Sequence, residues 1–149
     1  MVFTLSRGRG SGSTPVRTDI VVHDRVGSRT VVITRTANAS SARARISGNG
    51  RFVAFESLAS NLSCNRRCGD ESSDQNLVAD IYLFDRVTGT FTRVSRDSQE
   101  WWTPSVGASL DAEGDSIAFS SRQPVDANDP TSDFDLFIRT LRPPPIAGR

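Results

Sequence analysis

The stretch that decides the fold is Ile46-Ser-Gly-Asn-Gly50-Arg-Phe-Val-Ala-Phe55-Glu-Ser57, followed after an interruption by Asp80-Ile-Tyr-Leu-Phe-Asp85-Arg86-Val87-Thr-Gly89. Phe52-Val-Ala-Phe55 and Ile81-Tyr-Leu-Phe84 are short apolar runs, rich in aromatic and β-branched residues and bounded by Gly, Asn, Asp and Ser. Runs of this kind read as strands buried on both faces. Asn49-Gly50 and Thr88-Gly89 stand where hairpins would turn, because Gly takes a positive φ without a steric penalty. No segment of useful length carries a helical stripe.

Both motifs recur. Leu110-Asp-Ala-Glu-Gly114-Asp-Ser-Ile-Ala-Phe119-Ser-Ser121 repeats the first, with Glu113-Gly114 at the turn. Asp19-Ile-Val-Val-His-Asp24-Arg25-Val26-Gly27 repeats the second, and Asp135-Leu-Phe-Ile-Arg139 repeats its opening. From Phe119 to Asp135 is 16 residues, and the same step back from Asp19 reaches Phe3, inside Met1-Val-Phe-Thr-Leu5. The chain is therefore expected to open in mid-repeat. In the central copy the interval from Phe55 to Asp80 is 25 residues, which implies a nine-residue insertion around Cys64 to Asp74.

These residues, with Thr-Arg-Val-Ser95 after the second motif, resemble the TolB-like, WD40-like (PD40) β-propeller repeat over nearly the whole chain. The family's usual Pro-Asp-Gly turn is here Gly48-Asn49-Gly50 and Ala112-Glu113-Gly114, keeping the Gly but not the Pro. The resemblance implies an all-β fold of four-stranded propeller blades. A partial blade is expected over 1–36, a full blade over 37–97 and a partial blade over 98–141, with a Pro-rich tail at 142–149. The expected strands run at about 1–5, 19–24, 30–35, 42–47, 51–57, 80–86, 91–95, 105–110, 115–121 and 134–141. Closed propellers usually need about four to eight blades, and this chain supplies about two and a half, an incomplete ring. It is expected either to be a fragment of a longer reading frame or to oligomerise so that several copies complete a ring.

Composition narrows the function. No apolar run approaches the roughly 18 residues of a membrane span. The 18 basic residues are all Arg and 17 acidic residues balance them to a net charge of +1, which argues against nucleic acid as a partner. The only His, His23, aligns with Phe84 and Arg139 on a strand, and no Gly-x-Ser-x-Gly elbow is present, so no catalytic residue is assigned and the chain is expected not to be an enzyme. Gly8-Arg-Gly-Ser-Gly-Ser-Thr lacks the Lys of a phosphate loop and reads as a flexible connector.

Several residues remain as candidates. Cys64 and Cys68 flank Asn-Arg-Arg in the insertion and are expected to form a disulfide, which implies an oxidising compartment; two unpaired thiols in the cytosol are the alternative. The setting typical of TolB-like repeats is likewise periplasmic or secreted. Trp101 and Trp102 lie in a connector between blades, where an exposed indole could stack on a sugar or anchor a protein. Asp126, Asn128, Asp129 and Asp133 make an oxygen-rich loop that could suit calcium, although EF-hand spacing is absent and a solvated turn serves as well. No other cofactor is implied. Asp19, Asp80 and Asp135 recur at one repeat position and are expected to accept hydrogen bonds at a strand start, a structural role. The expected function is a non-catalytic scaffold binding a protein or glycan partner. The alternatives are the propeller portion of a larger serine-peptidase-like hydrolase and a self-assembling, lectin-like ring.

Overall fold

The computed structural model of the chain describes residues 1–7, 17–63, 76–95, 103–122 and 133–141. All the regular structure among them is β. Ten strands follow in order: β1 (Val2–Arg7), β2 (Arg17–Asp24), β3 (Arg29–Val32), β4 (Ser41–Ile46), β5 (Phe52–Ser57), β6 (Asp80–Asp85), β7 (Thr90–Arg93), β8 (Ser105–Leu110), β9 (Ser116–Ser121) and β10 (Asp135–Thr140). They form three antiparallel meanders, β1-β2-β3, β4-β5-β6-β7 and β8-β9-β10.

The repeat phase read from Phe3 is the phase of the sheets. Phe3 pairs with Val21 as Phe55 pairs with Tyr82 and Phe119 with Phe137. Because side chains alternate across a strand, a one-residue slip would have moved every apolar side chain to the opposite face. The register thus gives each sheet an aromatic face and an aliphatic face. Phe55 and Tyr82 on the second sheet pack against Ile20 and Val22 of the first. Phe119 and Phe137 on the third sheet lie in the cluster that holds Ile81, Leu83 and Val94 of the second. Both seams are built the same way, an aliphatic face covered by the aromatic face of the next sheet. The stacked pairs Phe55–Tyr82 and Phe119–Phe137, with ring centroids 6.0 and 5.5 Å apart, are repeat equivalents.

The central sheet is covered on both sides, and β5 and the first four residues of β6 are buried nearly throughout. On the third sheet β10 alternates between half-buried and exposed positions, whereas Asp19 to Val22 of β2 are buried on both faces. Two strands stop short of the expected ends at 35 and 95. Just past β3 the Ile33 N–H still bonds the Ile20 carbonyl at 3.0 Å, but the Ile20 N–H goes to Thr34 Oγ1 at 2.9 Å. Just past β7 the Val94 N–H bonds the Ile81 carbonyl at 2.7 Å, while the Ile81 N–H goes to Ser95 Oγ at 3.0 Å. A side-chain hydroxyl replaces the next rung of the ladder in both, which ends the strand at the same repeat position.

The strands β4 and β8 both carry a bulge, between Ala42 and Arg45 and between Val106 and Ser109. The bulge needs a positive φ, taken by Gly107 at 73° in one copy and by Arg43 at 52° in the other. A hydroxyl pair, Ser41 with Ser57 at 2.9 Å and Ser105 with Ser121 at 3.0 Å, closes the strand end beside each bulge.

Candidate functional site

The first two sheets leave a groove of about 480 Å³ at their seam. Its floor is apolar, made by Val22, Val31 and Ile33 from one sheet and Phe84 and Phe91 from the next. Its rim is charged, with Asp24, Arg29 and Arg86. The second seam repeats the groove at about 310 Å³, where Leu83, Asp85, Thr90 and Thr92 hold the places of Val22, Asp24, Arg29 and Val31. That second groove is smaller, and its charged residues are Arg51, Asp85 and Asp115.

The rim acids are held ionised by the turns they cap. Backbone N–H groups of Val26 at 3.0 Å and Gly27 at 3.4 Å donate to Asp24 Oδ1 and hold its carboxyl below the usual range. Asp85 receives Arg51 in a two-pronged pair, Nε to Oδ1 at 3.1 Å and Nη2 to Oδ2 at 2.7 Å, as well as the Val87 N–H at 2.9 Å. The Arg51 hydrogen bond, assisted by that backbone donor, lowers Asp85 to about 2. The same pair raises Arg51 above its ordinary value. Arg86 turns its Nη1 to the Gly50 carbonyl. These are fixed charges beside an apolar floor, suited to orienting a bound group.

The repeated Asp residues form a different arrangement. Asp19 is fully buried, and its Oδ1 accepts the Thr34 hydroxyl at 2.9 Å, whose oxygen in turn accepts the Ile20 N–H. Asp80 is buried likewise, and its Oδ1 accepts the Ser95 hydroxyl, whose oxygen accepts the Ile81 N–H. Each carboxylate also has an Arg at 3.5 Å, Arg17 for Asp19 and Arg93 for Asp80. The third copy, Asp135, has a buried Oδ2 with no hydrogen-bond partner among the described residues. Thr34 and Ser95 were missed by the sequence reading, although both stand 15 residues after their Asp.

Glu56 was missed as well. Its Oε2 accepts Arg43 Nη1 at 2.7 Å and its Oε1 accepts the bulge N–H of Gly107 at 2.9 Å, so one buried carboxylate joins the central sheet to the third. Nothing local announces this contact, which spans 51 residues. Nearby in sequence, Asn49 of the central hairpin bonds the Ala112 and Glu113 carbonyls of the equivalent hairpin at 2.9 and 2.6 Å.

Of the remaining candidates, Cys64, Cys68, Trp101, Trp102, Asp126, Asn128 and Asp129 lie outside the described residues, and Asp133 is exposed. His23 sits on β2 with Nδ1 2.9 Å from Thr30 Oγ1. Among the described residues no group of three or more His, Cys, Asp or Glu side chains could hold a metal ion, and no helix is long and apolar enough to cross a membrane.

No protein-family model matches the chain, and no curated protein matches it by sequence. Solved structures do. The chain is similar to the tricorn protease, with a TM-score of 0.52 and 18% identity over 84% of this chain and 12% of that one. It is similar to TolB from Acinetobacter baumannii, with a TM-score of 0.51 and 15% identity over 93% of this chain and 27% of that one. It thus spans less than a third of the length of either. The likeness is one of fold: the three sheets have the architecture of β-propeller blades.

Proposed function

We propose that this propeller segment is a non-catalytic binding scaffold, working in a periplasmic or secreted setting, that takes a protein or glycan partner in its seam grooves or on the connectors carrying Cys64–Cys68 and Trp101–Trp102. Blades 1–36, 37–97 and 98–141 supply the groove walls in this proposal. The observation that carries this reading is the recurrence of one groove at both seams, apolar below and charged at the rim. A concave apolar surface with a few fixed polar groups is the usual form of a recognition site. The fold supports the scaffold role, and the resemblance to TolB-like repeats supports the compartment. Asp19, Asp80 and Asp135 serve blade geometry in this proposal.

The test is binding of the wild-type chain to a glycan array and a peptide array, beside an Arg86→Glu variant and a Trp101→Ala, Trp102→Ala variant. Retention by the wild type and loss of at least tenfold in either variant is expected. Unchanged retention by both variants would overturn the assignment of these surfaces.

A second reading has one observation in its favour, the likeness to a stretch of the tricorn protease. In that reading the blades belong to a larger hydrolase whose catalytic residues lie elsewhere. Labelling of this chain by a fluorophosphonate probe would contradict the non-catalytic proposal directly.

A further inference from the structure

The two seam grooves share a build but differ in charge. The first is lined by Arg29, Arg86 and Asp24, two cations against one anion, and the second by Arg51, Asp85 and Asp115, one cation against two anions. In the second groove the cation is already engaged by Asp85 in the two-pronged pair. In the first, Arg29 and Arg86 are exposed, and among the described residues neither forms an ion pair. Asp24 is held ionised mainly by the Val26 and Gly27 N–H groups, with Arg86 and His23 as weaker influences. Beneath this rim Phe84 and Phe91, both half-buried, lie with ring centroids 4.6 Å apart. The first groove also reaches a strand edge. β3 pairs with β2 on one side, and no described strand pairs with it on the other. The Ile33 N–H bonds the Ile20 carbonyl, and hydrogen-bonding groups alternate in direction along a strand, so the N–H and C=O groups of Thr30 and Val32 point away from β2. Arg29 and Val31, opposite Asp24 and Val22, have their side chains on the groove face.

We infer that the first groove takes an extended, acidic and apolar segment of a partner protein, added as an antiparallel strand along the open edge of β3. Main-chain bonds to Thr30 and Val32 hold the segment, and every second side chain enters the groove, the usual division of labour when a peptide extends a sheet. The residue opposite Val31 lies over Phe84 and Phe91 and is apolar. The residue two places on, opposite Arg29, lies between Arg29 and Arg86 and is acidic. Asp24 on the same rim repels that acid, so the two guanidinium groups have to outweigh one carboxylate. They do so here, whereas the single, engaged Arg51 faces two carboxylates in the second groove, which confines the segment to one seam. This inference rests on the groove reading of the proposed function and names its occupant as a peptide strand, not a glycan.

Fluorescence anisotropy of a labelled peptide with the core Leu-Thr-Leu-Thr-Glu, titrated with the wild-type chain, reads the binding. In the antiparallel register the two Leu lie opposite Ile33 and Val31, the two Thr opposite Val32 and Thr30, and the Glu opposite Arg29. Saturable binding is expected. Replacing the peptide's Glu by Gln, or introducing Arg29→Glu or Arg86→Glu in the protein, is expected to weaken it by about tenfold. N-methylation of the two peptide Thr removes the N–H groups that meet β3 and is expected to weaken binding at least as much. N-methylation of the second Leu alters an N–H that faces away from β3 and is expected to leave binding nearly unchanged. Circular dichroism checks the fold of each protein variant, and the peptide changes need no variant at all. Binding that is indifferent to Thr methylation overturns the strand addition, and binding indifferent to the Glu and to both Arg variants overturns the charge pairing. A glycan retained by the wild type and lost in Arg86→Glu, with the peptide unbound, overturns this inference and leaves the groove as a binding site. Failure of both ligands to bind overturns the groove reading as well.

Discussion

Asp80 shows how a single recurrent residue can be read from sequence yet understood only with its partners in view. Its recurrence with Asp19 and Asp135 marks it as structural, but the hydroxyl it needs lies 15 residues on, just past the end of β7, at Ser95. Asp80 and Arg93 are both nearly excluded from solvent. Removing one member of a buried pair leaves the other uncompensated, so Asp80→Ala is expected to cost about 3–5 kcal/mol in urea unfolding. Ser95→Ala, which strips a buried carboxylate and a backbone N–H of one partner each, is expected to cost about 1–3 kcal/mol. Equal costs would contradict the assignment of charge compensation to Arg93.

Acid stability also belongs to the residue scale. Asp85 titrates at about 2 in the fold, against roughly 3.9 for an unfolded Asp. Its folded value is depressed, so the stability it contributes is fully present above the unfolded value and is lost as pH falls through about 2. Arg51 is the main cause of that depression. Arg51→Ala is therefore expected to lower stability by about 0.5–1 kcal/mol at neutral pH, the scale of an exposed pair. The difference should shrink toward zero near pH 2, as followed by denaturant unfolding at a series of pH values.

Among the elements, the hairpins separate two effects of glycine. Gly89 and Gly114 have nearly the same φ, 73° and 75°. A Cβ on Gly89 would meet nothing within 4 Å, whereas one on Gly114 would lie 2.3 Å from the Phe52 ring. Phe52 packs against the second core cluster and cannot withdraw without opening it. Gly89→Ala is expected to cost about 1–2 kcal/mol, the penalty of the left-handed backbone alone. Gly114→Ala adds overpacking and is expected to cost about 2–4 kcal/mol in thermal unfolding. The need for Gly at both turns is legible in the repeat, but the difference between them is not, because Phe52 belongs to the neighbouring sheet.

In the whole molecule, three sheets are coupled through two seams, and the second seam is reinforced by Glu56 and Asn49. In repeat architectures, neighbouring units stabilise each other through their shared interface. Glu56→Ala removes the acceptor for the Gly107 bulge while leaving the apolar cluster intact. Faster hydrogen exchange in β8 to β10, with β1 to β3 unchanged, is the expected result by mass spectrometry. A uniform rise would mean that the sheets open together and that the seam carries no local role.

Strand positions, repeat phase and hairpin turns were legible in the sequence, because they follow from local alternation, Gly placement and comparison of one copy with another. Phe3 could be matched to Phe119 from spacing alone, and it pairs with Val21 as Phe119 pairs with Phe137. The floors of the grooves, the hydroxyl partners of the buried Asp residues and the reach of Glu56 to Gly107 came only with the tertiary structure. They join side chains on different strands or different sheets, and which atoms meet there depends on how the faces pack. Ile81 and Leu136 hold the same place in the repeat, yet one is fully buried and the other largely exposed. What separates them is the sheet that covers Ile81, a property of its neighbours in space and not of its neighbours in the chain.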